Sequence, residues 1–352
     1  MAYTNIDDPS AYFQVATYTG NGTDNTAITY DGNSDMQPDF LWFKLRSTTG
    51  NHVLFDSNRG TSKYVRSNTT AAETTNATLL KSFDSDGFTV GTAGNTNSNG
   101  NTLVSWGWKA NGGTTSTNTD GSINTTVQAN TDAGFSIVGY TCPDPITNFT
   151  IGHGLGVTPD VIIVKTRDGS RNWGVYHKSL TAPAANRNLK LNLTNAEAAE
   201  STFWANTAPT SSVITIAQNA SVNFQGHNYI AYCFAEKQGY SKFGSYVGNG
   251  NANGPFIYTG FKPAFVMMKN YSVGASWHMV DNKRLDYNPT TKVLYANLSN
   301  AEGTEDRVDL LSNGFKLRTT NTEVNGNGYN IIYMAFAENP FTTSTGIPTT
   351  AR

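Results

Sequence analysis

PDVIIVK, residues Pro159–Lys165, is the stretch of this 352-residue chain that decides the fold. Four β-branched residues in a row, Val161–Val164, indicate a strand that is buried on both faces. The same pattern occurs at Pro38–Lys44 and Pro263–Lys269, each time with a lysine six residues after the proline. The chain therefore contains an internal repeat, which must be recognised before single residues are interpreted.

Other segments recur in the same order and support this alignment. Asn192–Glu197 matches Asn297–Glu302 at five of six positions, and Asn68–Glu73 is a weaker third copy. The closing strands also align, and the copies of all three anchors are separated by 102 to 126 residues. Such a spacing is too long for a solenoid and fits whole domains.

We therefore expect an all-β fold of three tandem, jelly-roll-like (lectin-like) β-sandwich modules, because each copy contains six or more strand candidates. We call these copies repeats 1, 2 and 3. The predicted boundaries are residues 13–110 for repeat 1, 111–133 for a Thr/Asn/Gly-rich linker, 134–238 for repeat 2, 239–341 for repeat 3 and 342–352 for a polar tail. A short strand around Ile123–Val127 could interrupt the linker.

Composition excludes several classes of protein. Charged residues make up 14% of the chain and the net charge is -2, so we expect no nucleic-acid partner, which would require a basic surface. No apolar run is long enough for a membrane span, and the first residues do not resemble a signal peptide. Two cysteines are too few for a disulfide framework.

Several segments resemble a module of virion proteins from marine tailed bacteriophages, cyanophages in particular. They are Ile6–Gln14, Tyr18–Gly22, Asp35–Phe40, Phe55–Gly60, Asn118–Ile123 and Gly152–Gly156. The resemblance extends over residues 10–340 and implies a lectin-like β-sandwich in a tail fibre or another exterior structural protein. It supplies no catalytic residues. Repeat 2 departs from the pattern, because Leu180 replaces the arginine that is found at Arg59 and Arg284.

The repeated charged residues have two readings each. Lys44, Lys165 and Lys269 could contact a ligand, but three copies favour a framework role, with each ammonium group reaching solvent or a carboxylate. Glu73, Glu197 and Glu302 could bind calcium, or could lie in the first turn of a short helix after an Asn cap such as Asn195. We predict no metal site and no cofactor.

Catalytic patterns are weak. Asp56, His177 and Asp281 align with one another, so they do not form one Ser-His-Asp triad, and no Gly-x-Ser-x-Gly nucleophile elbow is present. Paired carboxylates for glycoside hydrolysis are assembled in space, so the sequence leaves that chemistry open. Few acidic residues are available for it, and we predict a protein that is not an enzyme.

Aromatic residues that differ between the copies are the better functional candidates. They are Phe203, Trp204, Tyr271, Tyr287 and Tyr295. Exposed rings beside amide and carboxylate groups could stack on sugar rings. The alternative is that these rings pack against a neighbouring module or subunit.

The prediction is therefore a structural virion protein of a tailed phage, located on the virion exterior as a tail-fibre or adsorption-apparatus component. Its expected partners are other virion proteins, host cell-surface carbohydrate and further copies of itself, with a trimer as the common fibre arrangement. One alternative is a capsid-exterior decoration or head-fibre protein. Another is a carbohydrate-binding or depolymerising module.

Overall fold

The computed structural model describes residues 4–284 and 288–349, and nearly all regular structure in this part is β-strand. Its helices are single turns. They are the α-helices Gly94–Asn97, Ser201–Trp204 and Thr322–Asn325 and the 3-10 helices Pro9–Ala11 and Ala184–Asn186. The predicted all-β class is confirmed. None of these helices approaches the length or apolar character that crossing a bilayer requires.

The strands follow the sequence repeat. Repeat 1 contains β1 Phe13–Thr19, β2 Thr26–Ile28, β3 Phe40–Leu45, β4 Val53–Asp56, β5 Lys63–Tyr64, β6 Thr74–Thr75, β7 Leu80–Asp84, β8 Gly87–Val90 and β9 Thr102–Trp108. Next come β10 Ser116–Asn118, β11 Thr125–Asn130, β12 Phe135–Thr141, β13 Phe149–Gly152, β14 Val161–Thr166, β15 Gly174–His177, β16 Arg187–Asn188, β17 Ala198–Ala199, β18 Val213–Ile216 and β19 Asn228–Phe234. Repeat 3 contains β20 Ser241–Val247, β21 Phe256–Tyr258, β22 Phe261–Asn270, β23 Trp277–Asp281, β24 Thr290–Tyr295, β25 Gly303–Leu311, β26 Gly314–Leu317 and β27 Asn330–Pro340.

One antiparallel strand order occurs in all three repeats. It is β1-β9-β3-β4 in repeat 1, β12-β19-β14-β15 in repeat 2 and β20-β27-β22-β23 in repeat 3. Smaller sheets accompany it, β2-β8-β7 in repeat 1 and β13-β18 in repeat 2. In repeat 3 the strands β24-β25-β26-β21 continue from β23, so its sheet has eight strands.

The repeated core strand is buried on both faces, as its sequence predicts. Every residue of β14 is buried. Because side chains alternate along a strand, Ile162 and Val164 enter the hydrophobic cluster of repeat 2. Val161 and Ile163 point the other way, into a cluster that also contains residues of repeats 1 and 3.

The three repeats share this second cluster. The equivalent residues Trp42, Ile163 and Met267 all belong to it and line a central apolar cavity of ≈ 20 Å³. Rings from different repeats touch there, with the centroids of Phe40 and Tyr232 4.2 Å apart. The repeats therefore close into a ring around one core.

Residues 111–133 are not a linker, which corrects the prediction. Their strands β10 and β11 extend the sheet of repeat 2 in the order β10-β11-β12, and Val127 is buried opposite Val138. Only one side of β11 meets the apolar core, so its Thr- and Asn-rich sequence looks like a loop. The polar tail is also attached, because Ser344 donates to Asp7 through its backbone N–H and its hydroxyl.

Replacing Ile163 with aspartate places a carboxyl group in the shared core, away from any partner. We expect Ile163→Asp to lower the free energy of unfolding by about 3 kcal/mol or more, because an unpaired buried carboxyl is costly. Urea unfolding followed by tryptophan fluorescence measures this change. The control is Val157→Asp at an exposed aliphatic residue. Equal unfolding midpoints for the two variants would contradict a buried role for Ile163.

Candidate functional site

The repeated lysines connect neighbouring repeats. All three side chains are buried, so the expectation that their ammonium groups reach solvent or a carboxylate is wrong. Each Nζ donates to a backbone carbonyl of the adjacent repeat: Lys44 to Ser299 at 3.3 Å, Lys165 to Thr70 at 2.8 Å and Lys269 to Thr194 at 3.1 Å. The acceptors are equivalent residues, so the same bond closes all three junctions of the ring.

Two of the repeated glutamates also bind across the junctions. Glu302 contacts Arg46 of repeat 1 at 2.9 Å and Arg284 of its own repeat at 3.0 Å. Glu73 makes the same pair of contacts with Arg167 at 2.8 Å and Arg59 at 3.1 Å. Burial alone would raise the pKa of Glu302, but the two guanidinium groups outweigh it and hold that pKa below its usual value.

Repeat 2 has hydrogen bonds to backbone groups in place of these ion pairs. Asn195–Glu197 is not helical, so the helix-cap reading of this segment is wrong. The Glu197 backbone N–H donates to the Tyr271 carbonyl at 3.0 Å, which is the same junction position. The Glu197 carboxylate accepts from the Thr181 N–H at 3.0 Å.

The aligned Asp and His residues lie at different junctions and do not form one catalytic set. Asp281 binds Arg284 at 2.6 Å and accepts from Trp106 of repeat 1 at 3.0 Å. Asp56 of repeat 1 binds Arg59 at 2.7 Å and accepts from the Tyr232 hydroxyl of repeat 2 at 2.7 Å. His177 contacts the Tyr333 carbonyl of repeat 3 at 3.2 Å, and burial lowers its pKa to about 4. The histidine is therefore neutral near pH 7.

The structure overturns most of the predicted aromatic surface. Phe203, Trp204 and Tyr271 are buried, so their rings cannot stack on a ligand. Phe203 and Trp204 belong to the hydrophobic core of repeat 2, and Tyr271 belongs to the core that the three repeats share. Tyr295 is half-buried, with its ring centroid 4.8 Å from that of His278. Tyr287 lies outside the described residues.

Other aromatic rings are exposed. Phe256 and Tyr258 are exposed on either side of buried Ile257 in β21, the outermost strand of its sheet. Phe341, directly after β27, is 38% exposed, and Tyr258 is 57% exposed. The alternating Phe-Ile-Tyr pattern is the sequence signal for this edge strand.

Tyr258 and Phe341 border a groove of ≈ 350 Å³ at the junction of repeats 2 and 3. Its polar lining includes Glu236, Gln238 and Lys242, and the Glu236 carboxylate lies 3.0 Å from the Lys242 ammonium. Rings supply flat apolar surface, and carboxylate, amide and ammonium groups supply directional hydrogen bonds. This combination suits a sugar, which has both apolar faces and hydroxyl groups.

Lys165 gives the protein a specific dependence on pH. Burial lowers its pKa to about 7, whereas an unfolded lysine titrates near 10.4. Between about pH 7 and 10 the unfolded chain therefore binds more protons at this residue, so its contribution to the free energy of unfolding increases with pH. We expect Lys165→Met to reduce that slope, as measured by urea unfolding at several pH values. Lys292→Met, at a lysine outside the junctions, is the control and should leave the slope unchanged.

The buried Asp281–Arg284 pair gives a second prediction. We expect Arg284→Leu to lower the free energy of unfolding by about 3 kcal/mol, because Asp281 loses its cation. The double variant Asp281→His/Arg284→Leu reproduces His177 and Leu180 of repeat 2, and it should be more stable than the single variant. Urea unfolding compares them. A double variant less stable than Arg284→Leu would contradict the equivalence of the two junctions.

Comparison with protein families identifies a match over nearly the whole chain. A family model described as Domain of unknown function (DUF7483) matches residues 8–340, which include all three repeats. A search of the curated proteins found no match. The matched residues supply all three junctions of the ring and Tyr258 of the groove, and Phe341 lies one residue beyond the match. The chain therefore belongs to the DUF7483 family.

Proposed function

We propose that this protein is a non-enzymatic structural component of the exterior of a tailed-phage virion, in a tail fibre or the adsorption apparatus. The resemblance of its sequence segments to phage virion modules supports this location. The observation that carries the structural role is the use of its repeated charged residues. Lys44, Lys165 and Lys269 bind neighbouring repeats, as do Arg46 and Arg167.

The ring arrangement of the three repeats is rigid, as a structural protein of a particle requires. Three sheets share one core, and each junction combines apolar packing with buried hydrogen bonds. Relative motion of the repeats would expose the core and break those bonds, so the ring resists deformation. Such rigidity is useful in an exterior particle protein that must hold a binding surface in a set orientation.

The groove bordered by Tyr258 and Phe341 supports contact with host glycans. One groove of this size would bind a sugar weakly. Many copies on one particle would multiply the weak contacts, because each engaged copy raises the effective concentration of sugar for the next. Adsorption by avidity is therefore the mechanism that we propose.

A glycan array probed with the purified protein tests the groove. We expect binding to polysaccharides of the host surface, and we expect Tyr258→Ala and Phe341→Ala each to weaken it by about tenfold, as for a central ring contact. Phe224→Ala is the matched control, since Phe224 is also 38% exposed but lies outside the groove. Equal loss in all three variants, or none, would rule out the groove.

The position of the chain in the particle tests the virion role separately. We expect a cryo-EM reconstruction of the phage to place a small number of copies on the tail. Hundreds of copies on the head would instead support a capsid-decoration protein. Release of reducing ends from host polysaccharide by the purified protein would contradict the non-enzymatic role.

A further inference from the structure

Among the described residues, β11 of repeat 2 has no counterpart beside β1 or β20. This strand lies antiparallel along β12, with Ile137 opposite Gln128 and Gly139 opposite Thr126. β19 lies on the other side of β12. Directly after β12, the Cys142 N–H donates to the carbonyl of His227, which precedes β19. Along a strand, the backbone N–H and C=O groups of successive residues point alternately to the two neighbouring strands. Ile137 and Gly139 therefore direct their backbone groups towards β11.

The equivalent edge in repeat 1 is open. β1 pairs with β9 alone, and the Gly20 N–H donates to Asn101 at the end of that ladder. By the same alternation, Phe13, Val15 and Thr17 direct their backbone groups away from β9. These groups have no hydrogen-bond partner within residues 4–284 and 288–349. They correspond to the residues of β12 that receive β11.

A pocket lies beside this open edge. It has a volume of ≈ 230 Å³ and separates Phe13 and Val15 of repeat 1 from Asn282 and Lys283 of repeat 3. The Asn282 Oδ1 atom is buried and has no hydrogen-bond partner in the part of the chain that the structure describes. An unsatisfied buried acceptor of this kind is unusual and calls for a donor.

The occupied groove in repeat 2 shows what that donor would be. Ser57 and Asn58 follow Asp56 there, as Asn282 and Lys283 follow Asp281. The Gln128 side-chain amide of β11 donates to the Ser57 hydroxyl at 3.0 Å, and the Asn58 amide donates to the Thr126 carbonyl at 3.2 Å. The neighbouring repeat therefore holds β11 through the positions that line the empty pocket.

The third equivalent groove is not open in the same way. Between repeats 2 and 3, Lys242 of β20 and Lys178 share the Glu236 carboxylate at 3.0 Å each. Two ion pairs therefore lie beside β20. Beside β1 the Lys283 ammonium pairs with Asp31, whose side chain is 70% exposed, and the Asn282 Oδ1 atom has no partner among the described residues. The open edge at β1 is therefore the better acceptor.

We propose that the β1 edge binds an extended strand of a partner protein by antiparallel β-augmentation. The strand would be uncharged and would alternate small or β-branched residues with polar ones, as Thr125–Asn130 does. A charged strand is disfavoured because Lys283 is already paired with Asp31 at 2.7 Å. This inference concerns strand recognition and does not depend on the virion role.

A peptide with the sequence of residues 124–131 is the probe. We expect its addition to the full chain, at up to about 1 mM, to slow hydrogen exchange of the Phe13, Val15 and Thr17 amides. Thr17→Pro should abolish this protection, since Thr17 is exposed and its N–H points away from β9, so proline removes only the outward donor. Thr17→Ala is the matched control and should bind as the wild type does.

The outcomes separate cleanly. Protection in the wild type and in Thr17→Ala, together with loss in Thr17→Pro at an unchanged unfolding midpoint, would support the acceptor edge. Protection that persists in Thr17→Pro, that falls on Phe135–Thr141 instead, or that is absent throughout would overturn it.

Discussion

The ring depends on the burial of one lysine amino group at each junction between repeats. Buried N–H donors without acceptors are costly, and at every junction one of the accepting carbonyls belongs to the neighbouring repeat. Lys165, for example, reaches Thr70 of repeat 1 and the Arg171 carbonyl of its own repeat. The bond therefore fixes how two repeats are oriented, while the apolar packing around Trp42, Ile163 and Met267 supplies most of the driving force.

Repeat 2 shows how much variation this arrangement tolerates. His177 and Leu180 replace a buried Asp–Arg pair, and a neutral histidine binding the Tyr333 carbonyl takes over the contact. Buried ion pairs can often be exchanged for neutral residues of similar shape when both partners change together. The same repeat gains β10 and β11, which cover an edge that β1 leaves open in repeat 1. All three repeats therefore form the same kind of junction. Repeat 2 differs from repeat 1 in the strands at the edge of its sheet.

Variation of an aromatic residue between the copies does not by itself indicate a binding surface, because Phe203, Trp204 and Tyr271 are buried. Phe203 and Trp204 differ from their counterparts because the interior of repeat 2 is packed differently, and both are buried. A residue can vary between copies for reasons of packing or of binding, and only exposure separates the two. Tyr258 and Phe341 are the exposed rings that border the groove.

The sequence by itself determined the repeat, the all-β class and the core strand, because these rest on local patterns of apolar residues that recur in register. It also showed that Lys44, Lys165 and Lys269 are equivalent. What the lysines bind was decided only by the tertiary structure, since Thr70 and Lys165 lie 95 residues apart in the chain. The same holds for β11: its composition resembles a loop, and only its place beside β12 makes it a strand. The aromatic groove likewise arises from residues that the fold brings together.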